Sequence, residues 1–522
     1  MFWADKITDQ IIKSTNYKPY HVDDMKTPSG RIHVGALRGI IVHDLIFKVL
    51  KEKGVKVEFT WVFNDMDPMD GFPQYLPQEF KKYMGWPLFK IPSPVKGFSS
   101  LAQCYAQEFI KVFRKLGVKP KIIWSSQWYL KGKFNKIIKE SLAKKEQIGK
   151  LYQQISGYDK PKNWYPFQVI CPKCGKVGTT LVYDWDGEQV SFECKKDLVS
   201  WAQGCGYKAK ISPFNGIGKL MWKVDWAAHW KVIGVTVEWA GKDHMSEGGS
   251  YDLSSAICEK VFNYPKPHAQ LYEWFLAKGG VKMSSSKGIG ASAKEISDTL
   301  PPEILRFLLV RPHYKKAIIF HPFANETVLD LFDEYDVFAD YYYKEGKKSD
   351  FGRIWQLSQV NMSPKTKPLF PRFREVANLI QLASVNIYQK FAEIKGSKLT
   401  PDDLKILEER IAYAKIWLKN YASKELVYEV TKTVPKEAEN LTPDQKKYLI
   451  SLIKLISLKD WQPEELQQQM YELTKKLKIP AKSAFQAIYL ALIGKTHGPK
   501  AGWFLLDQDR NLIIKRFKEV SQ

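Results

Sequence analysis

Two short stretches of this 522-residue chain combine residue types that can bind a triphosphate. Residues 27–35 read Thr-Pro-Ser-Gly-Arg-Ile-His-Val-Gly, and residues 282–286 read Lys-Met-Ser-Ser-Ser. A glycine-containing loop before a helix offers free backbone N–H groups and the positive end of the helix dipole to phosphate oxygens. A loop of lysines and hydroxyls between glycines can cover a triphosphate and neutralise the leaving pyrophosphate. Together the two stretches predict an ATP site.

The first stretch supplies one half of the predicted site. We predict that His33 donates a hydrogen bond to phosphate oxygens as charge builds in the transition state. Gly30 and Gly35 are expected to let the backbone and the adenine approach closely, because any Cβ would intrude. A single histidine at a helix start is otherwise typical of a cap or a surface residue, but its neighbours favour the ATP role here. The predicted ATP-binding residues are Thr27, Pro28, Ser29, Gly30, His33, Val34 and Gly35.

The second stretch supplies the other half. We predict that Lys282 and Lys287 act with His33 as catalytic groups that stabilise the charge on the pyrophosphate. Serine runs between lysines also occur in flexible linkers, so the upstream stretch is what favours a site here. A helix that begins with Pro302 follows and supports this interpretation. The predicted ATP-binding residues of this half are Lys282, Met283, Ser284, Ser285 and Ser286.

The elements that must position these residues are typical of an α/β nucleotide-binding fold. Residues 20–22 predict a short strand, and an apolar stripe from residue 36 to residue 49 predicts a helix that Gly54 ends. Residues 55–63 predict the next strand, and residues 271–275 predict a strand that leads into the second loop. This β-loop-α-β pattern indicates a Rossmann-type parallel sheet.

Four cysteines form a separate pattern that can hold a metal. A C-x2-C pair is followed after nineteen residues by a third cysteine and after ten more by a fourth. Four thiolates in this order suit tetrahedral Zn²⁺ in a zinc-ribbon-like module with a structural role, and a metal-free ribbon is the alternative. We expect Cys104 and Cys258 to be core residues. The predicted zinc ligands are Cys171, Cys174, Cys194 and Cys205.

Composition limits the class of protein and its partners. The formal net charge is +24, which favours a polyanionic partner, although a basic proteome background is an alternative. Hydrophobic residues make up 44% of the chain, so we expect a folded protein, and 522 residues are too many for one core, so we expect two to four domains. We find no apolar run of about 18 residues and no signal peptide pattern, and six cysteines are too few for a disulfide scaffold. We therefore expect a cytoplasmic protein.

The two stretches are similar to the HIGH and KMSKS signatures of class I aminoacyl-tRNA synthetases. Further stretches resemble class I lysyl-tRNA synthetases, the type common in archaea, so the resemblance runs nearly end to end. The chain departs from that family at Met25, Ala36 and Gly39, where the family commonly has glycine, asparagine and an acidic residue. Ser285 stands where the general class I signature has its second lysine, which related lysine enzymes also lack, and Lys287 is the expected substitute. The resembling stretches are residues 2–6, 77–79, 223–226, 241–244, 485–492 and 498–504.

The resemblance implies a function and an amino-acid pocket. It implies ATP-dependent attachment of L-lysine to tRNA(Lys) through a lysyl-adenylate, with Mg²⁺, and it favours Trp222, His244 and Tyr272 as lysine-binding residues. A lysine ammonium must be paired with a carboxylate or stacked on an aromatic face. From the residues themselves we add Asp65 and Asp67, which follow a predicted strand at the edge where α/β ligands bind. A turn rich in aspartate and proline is the alternative interpretation.

The domain organisation follows from the same patterns. We predict a catalytic domain over residues 1–345, with Rossmann halves at roughly 18–125 and 215–290, a zinc-ribbon-like insertion at roughly 126–214 and a connective helical region at 291–345. An all-α domain over residues 346–522 follows, with N-cap signatures at Thr400 and Thr442 and a helix end at Gly494. The resemblance implies that the insertion approaches the tRNA acceptor end and that the helical domain binds the anticodon. We expect a monomer.

Two other functions stay open. The first is a class I synthetase for glutamate, arginine or cysteine, which would differ in pocket residues. The second is a synthetase-like protein that binds tRNA without charging it. The presence of His33, Gly35 and Lys282 argues against the second, because a non-catalytic relative need not keep them.

Overall fold

The computed structural model describes residues 1–276, 291–320, 327–382, 385–423 and 426–522. The chain forms two compact units. One consists of Met1–His321 with Phe338–Ser363, and the other of Pro322–Val337 with Pro364–Gln522. The predicted boundary between residues 345 and 346 stays a prediction. Within the described ranges, no helix combines the length and the apolar character needed to cross a membrane.

A three-stranded parallel sheet, with its second strand in the centre, forms the first half of the larger unit. The second helix is buried over most of its length from Leu37 to Leu50, and it buries the polar residues Arg38, His43 and Asp44 along with its apolar ones. The first strand runs to Lys26, so the expectation that it ends at residue 22 is wrong: its ladder continues to Lys26 opposite Phe63. The elements are α1 (Trp3–Ser14), β1 (Tyr20–Lys26), α2 (Ala36–Glu52), β2 (Val57–Phe63), α3 (Leu101–Lys115) and β3 (Lys121–Trp124).

The insertion consists of three helices and two small antiparallel sheets. Its second sheet has three strands in the order β5-β6-β7, while β4 pairs with β8 where the chain returns to the Rossmann region. The elements are α4 (Ser125–Leu130), α5 (Asn135–Ala143), α6 (Lys145–Ser156), β4 (Phe167–Val169), β5 (Thr180–Trp185), β6 (Val190–Cys194), β7 (Lys208–Ile211) and β8 (Gly218–Leu220).

The second half of the Rossmann region continues the parallel sheet. Val237, three residues before β9, forms parallel bridges with Val22 of β1 and with His268, and β9 pairs in parallel with β10. These bridges place the β9–β10 pair next to the free edge of β1. The strand predicted at residues 271–275 is two short strands, β10 and β11. The elements are α7 (Trp222–Ile233), β9 (Ala240–Gly241), α8 (Ser250–Lys260), β10 (Leu271–Tyr272), β11 (Phe275–Leu276), α9 (Ala293–Thr299), α10 (Pro302–Val310), β12 (Ile318–Ile319), α11 (Thr327–Glu345) and α12 (Asp350–Ser358).

The second unit is helical and has its own core, which includes Tyr448, Leu452 and Ile488. The N-cap predictions are confirmed: Thr400 and Thr442 both form capping boxes with proline at the first helical position. The predicted helix end is also confirmed, since Gly494 has a φ of 68°. The helices are α13 (Phe373–Leu379), α14 (Ile387–Lys395), α15 (Pro401–Asn420), α16 (Pro443–Ile456), α17 (Pro463–Leu477), α18 (Ala481–Ile493), α19 (Ala501–Leu506) and α20 (Arg510–Ser521).

Candidate active site

The loop between β1 and α2 pairs with the residues that follow the second predicted ATP motif. The N–H of Val34 donates to the carbonyl oxygen of Ala291 (3.1 Å), and the N–H of Ala293 donates to that of Ile32 (2.9 Å). His33 lies at the centre of this short antiparallel bridge. Two stretches about 250 residues apart in the sequence are therefore joined by backbone hydrogen bonds.

The residues before the second motif also reach this loop. The carbonyl oxygen of Phe275 lies 3.7 Å from the position that a Cβ would occupy at Gly35. The chain thus leaves the loop at Phe275 and has returned to it by Ala291. The motif itself lies outside the described residues, and this holds for Lys282, Met283, Ser284, Ser285, Ser286 and Lys287.

Gly35 leaves room for the imidazole of His33. A Cβ at this position would lie 2.7 Å from Nδ1 and 2.8 Å from Cε1 of His33, which is closer than real Cβ contacts allow. The glycine in the His-x-Gly pattern therefore has a local reason, in addition to the predicted approach of adenine. Any side chain here would displace the His33 ring.

The first amides of α2 are already bonded. The N–H groups of Ala36, Leu37 and Arg38 donate to the carbonyl oxygens of His33, Val34 and Gly35 at 3.0, 2.9 and 3.1 Å. The expectation that free N–H groups at this helix start face the triphosphate is therefore wrong for these three amides. The loop closes onto the helix in tight turns that use them. What this helix end still offers an anion is the positive end of its dipole.

Thr27, at the end of β1, is connected to a buried ion network. Its hydroxyl donates to Asp67 Oδ2 (2.6 Å), and Asp67 pairs with the ammonium of Lys219. Lys219 Nζ also lies 3.1 Å from Asp225 Oδ2, and the Tyr129 hydroxyl donates to the other oxygen of Asp225. Burial opposes the charge on Lys219, but the two carboxylates outweigh it and raise the pKa of that ammonium above its ordinary value. Asp67 thus already has a cationic partner within the protein.

Asp65, which follows β2, contacts the first two residues of α4. Its carboxylate accepts hydrogen bonds from the Ser125 hydroxyl (3.0 Å) and from the N–H (2.8 Å) and hydroxyl (2.6 Å) of Ser126. Burial raises the pKa of Asp65 despite these donors. These contacts are those of a helix cap. The roles of Asp65 and Asp67 as lysine ligands stay predictions, and both carboxylates are used by protein groups.

Two of the three residues that the family resemblance favoured for lysine binding lie together. The Trp222 ring stacks on Trp226 (5.2 Å between centroids) and lies 5.6 Å from the His244 ring. Trp222 is 37% exposed, so it stands at the surface of this aromatic group. The indole N–H groups of Trp226 and Trp230 donate to Oε1 (2.8 Å) and Oε2 (2.6 Å) of Glu238. The aromatic group therefore extends inward to a buried carboxylate.

The third residue, Tyr272, reaches the first turn of α2. It lies opposite Gly241 in the β9–β10 pair. A Cβ at Gly39 would lie 2.7 Å from the Tyr272 hydroxyl oxygen and 2.7 Å from Asp24 Oδ2. Burial, and next the negative charge of Asp24, raise the pKa of Tyr272 well above its ordinary value, so the hydroxyl stays protonated.

Two buried carboxyl groups, Asp24 and Glu238, act on the Tyr272 hydroxyl, and Asp23 is buried on the opposite face of β1. The sequence analysis missed all three. Asp23 and Asp24 lie within β1, and Glu238 lies two residues before β9. Burial and the nearby Asp24 raise the pKa of Glu238 to about 7, and burial with Glu238 raises the pKa of Asp23. Acidic residues inside an apolar strand are costly unless they have partners. The signal that could have identified them is the place of Asp23 and Asp24 next to a predicted strand and of Glu238 between the apolar residues Val237 and Trp239.

The four predicted zinc ligands converge. All four sulfur atoms lie within 4.8 Å of one another, and the Sγ atoms of Cys171–Cys205 and Cys174–Cys194 are 3.6 Å apart. Tetrahedral Zn²⁺ with Zn–S bonds of about 2.3 Å separates its sulfur ligands by about 3.8 Å, so the four thiols fit this ion. Gly175 and Gly206, which follow the second and fourth cysteines, adopt a φ of 76°. These glycines allow the tight turns of the two knuckles.

Comparison with known proteins covers both units of the chain. A family model for class I tRNA synthetases (K) matches residues 1–361, and a model for an anticodon binding domain matches residues 373–520. The lysine–tRNA ligase of Methanosarcina barkeri is 31% identical over 99% of this chain and 97% of that relative. The lysine–tRNA ligase of Methanocaldococcus jannaschii is 32% identical over 99% of both chains. A solved structure of a glutamate tRNA ligase from Elizabethkingia meningosepticum, in complex with its amino acid, is 13% identical with a TM-score of 0.46, over 97% of this chain and 99% of that chain.

Proposed function

Because the chain belongs to the family of class I tRNA synthetases (K), we propose that it attaches L-lysine to tRNA(Lys) in two steps. The lysine carboxylate attacks the α-phosphorus of Mg²⁺-bound ATP, which forms lysyl-adenylate and releases pyrophosphate. The terminal ribose hydroxyl of the tRNA then attacks the adenylate carbonyl carbon, and AMP leaves. The protein contributes positioning and electrostatic stabilisation, so no covalent enzyme intermediate is needed.

The observation that carries the proposal is the pairing of Ile32–Val34 with Ala291–Ala293, because it supports a site built from both predicted ATP motifs. In this site His33, Lys282 and Lys287 stabilise the charge that develops on the phosphates. The other residues of the two motifs hold ATP by contacts of loop backbone and hydroxyl groups.

The amino-acid pocket is proposed to lie beside β9. The faces of Trp222 and His244 and the hydroxyl of Tyr272 contact the substrate lysine. Buried carboxyl groups near Tyr272 favour a cationic substrate, because a glutamate side chain would add a further negative charge in the same low-dielectric region. This charge balance argues against the glutamate alternative.

Other parts of the chain have supporting roles in the proposal. The four thiolates of Cys171, Cys174, Cys194 and Cys205 hold a structural Zn²⁺, which cross-links the insertion. The insertion contacts the acceptor end of the tRNA, and the helical unit binds the anticodon. Net positive charge favours both contacts. We propose that the protein acts in the cytoplasm as a monomer, which light scattering of the purified protein tests.

The deciding experiment is aminoacylation of total tRNA with each of the twenty amino acids in separate reactions, using the wild type and Lys282→Ala. We expect lysine-specific charging that Lys282→Ala abolishes. The exposed Lys266 lies in the same unit, and Lys266→Ala is the matched control. ATP–pyrophosphate exchange should fall far more in Lys282→Ala than lysine binding does, since Lys282 acts on the phosphates. Equal losses in exchange and in lysine binding would contradict this role.

The charging experiment also separates the alternatives. Charging with another amino acid would keep the class of enzyme and place the error in the pocket. Binding of tRNA without any charging would favour the non-catalytic function.

A further inference from the structure

The carboxylate of Asp24 is buried without a cationic partner in the part of the chain that the structure describes. The residue is 7% exposed and lies two positions before the end of β1. Its Oδ1 accepts the N–H of Met25 (2.8 Å), and its Oδ2 lies 3.4 Å from Nδ1 of His43. No described lysine or arginine forms an ion pair with it.

His43 does not neutralise this carboxylate. The backbone N–H of Trp239 donates to His43 Nε2 (2.8 Å), and only an unprotonated ring nitrogen accepts such a bond. The remaining ring proton is on Nδ1, which lies 2.8 Å from the carbonyl oxygen of Gly39. Burial opposes a charge on His43, but the nearby Asp24 outweighs it and raises the pKa of the ring above its ordinary value. In this geometry the N–H of Trp239 occupies the lone pair of Nε2, so the ring is neutral and the Asp24 carboxylate stays available to a cation.

One oxygen of Asp24 lies beside the Tyr272 hydroxyl, at the position where α2 carries a glycine. Asp24 Oδ2 and the Tyr272 hydroxyl both lie 2.7 Å from the point where a side chain at residue 39 would begin. Because residue 39 is glycine, no side chain of α2 comes between the two oxygens. Among the described residues, the Tyr272 hydroxyl has no hydrogen-bond partner. Two acceptors thus lie side by side next to the proposed lysine-binding residues.

We propose that Asp24, together with the Tyr272 hydroxyl, binds the side-chain ammonium of the amino-acid substrate and so determines the specificity for a cationic side chain. This inference rests on the proposed function and names the residue that selects its substrate. An ammonium has three donors and can contact both oxygens. An uncharged substrate of the same length would leave the carboxylate buried and unpaired, and that penalty rejects it.

A neighbouring acid offers a matched control. Asp23 is also buried in β1, but successive side chains of a strand point to opposite faces. Asp23 accepts the hydroxyl hydrogen of Thr60 on β2, whereas Asp24 faces His43 and Gly39 of α2. The variant Asp23→Asn removes a carboxyl from the same strand without removing the proposed ammonium ligand.

The test is ATP–pyrophosphate exchange by the full-length wild type, Asp24→Asn and Asp23→Asn, with L-lysine and with L-norleucine, which lacks the side-chain ammonium. In Asp24→Asn, kcat/KM for lysine should fall on the order of 100-fold, as expected when one partner of a buried ion pair is removed. Its kcat/KM for norleucine should stay the same or rise, and the KM for ATP should not change. Asp23→Asn should keep the wild-type preference for lysine.

Two results would overturn the inference. One is an unchanged preference for lysine in Asp24→Asn, and the other is an equal loss with both amino acids. If Asp24→Asn does not fold, Gly39→Ala is the second variant, because alanine favours the helix and its Cβ would crowd both oxygens. We expect its KM for lysine to rise at least about tenfold, since pocket contacts of this kind are worth more than 1.4 kcal/mol. An unchanged KM for lysine would refute the assignment.

Failure of this inference can be told from failure of the proposed function. If the wild type charges tRNA with an uncharged or acidic amino acid, both are wrong. If the wild type charges lysine and Asp24→Asn keeps the same selectivity, only the role of Asp24 is wrong.

Discussion

Replacement of Lys219 by methionine tests the buried ion network beneath the His33 loop. The Lys219 side chain is 2% exposed, and its partners Asp225 and Asp67 are 1% and 18% exposed. Removal of the ammonium leaves two carboxylates without their cation. Breaking a buried pair in this way costs about 3–5 kcal/mol. Asp67 is partly exposed and keeps the hydroxyl of Thr27, so we expect the lower end, about 3 kcal/mol.

The assay is urea-induced unfolding followed by tryptophan fluorescence, which gives the free energy of unfolding of each variant. Methionine has an unbranched side chain and keeps most of the packing of the lysine stem. The control is Lys208→Met in the insertion. Lys208 pairs with Glu193 at 3.6 Å, but the two side chains are 63% and 28% exposed, so its loss should cost less than about 1 kcal/mol.

The double variant Lys219→Met/Asp67→Asn should recover part of the lost stability, because one unpaired carboxylate is removed with the cation. Lys219→Met should leave the KM for ATP nearly unchanged, since Asp67 keeps its hydrogen bond from Thr27 at the end of β1. The reasoning is refuted if Lys219→Met destabilises the protein no more than Lys208→Met does.

Two further predictions concern the metal and the pH dependence. The purified protein should contain about one zinc ion per chain, and Cys194→Ser should lower both the zinc content and the Tm. The prediction is contradicted if the purified protein contains no metal and a chelator leaves its Tm unchanged. The pKa of Glu238 is about 7 in the folded protein against 4.5 for an ordinary glutamate, so between these pH values the folded state keeps a proton that the unfolded state releases. This group should therefore lower the free energy of unfolding by roughly 3 kcal/mol as the pH rises from 4.5 to 7, and Glu238→Gln should flatten that part of the profile. Parallel profiles for the two proteins would show that Glu238 is not the group responsible.

Much of the local structure was predictable because its causes lie within a few residues. The capping boxes at Thr400 and Thr442 and the helix end at Gly494 depend on hydrogen bonds and backbone angles of adjacent residues. The cysteine spacing likewise predicted a four-thiol cluster, since each C-x-x-C or Cys-Gly turn is formed locally. Local interpretation failed at β1, where the predicted strand stopped at residue 22 and the structure continues it through Asp23 and Asp24 to Lys26.

The sequence by itself determined the class of fold, the two ATP motifs, the cysteine cluster and the family resemblance, because these are patterns of residue type and spacing. Only the tertiary structure decided that Ile32–Val34 pairs with Ala291–Ala293, that Asp67 is bound by Lys219, and that Asp24 and Tyr272 meet above Gly39. These groups come from strands and helices that are distant along the chain. Whether a buried carboxylate has a cation beside it depends on which of those elements pack together, and no local pattern records that.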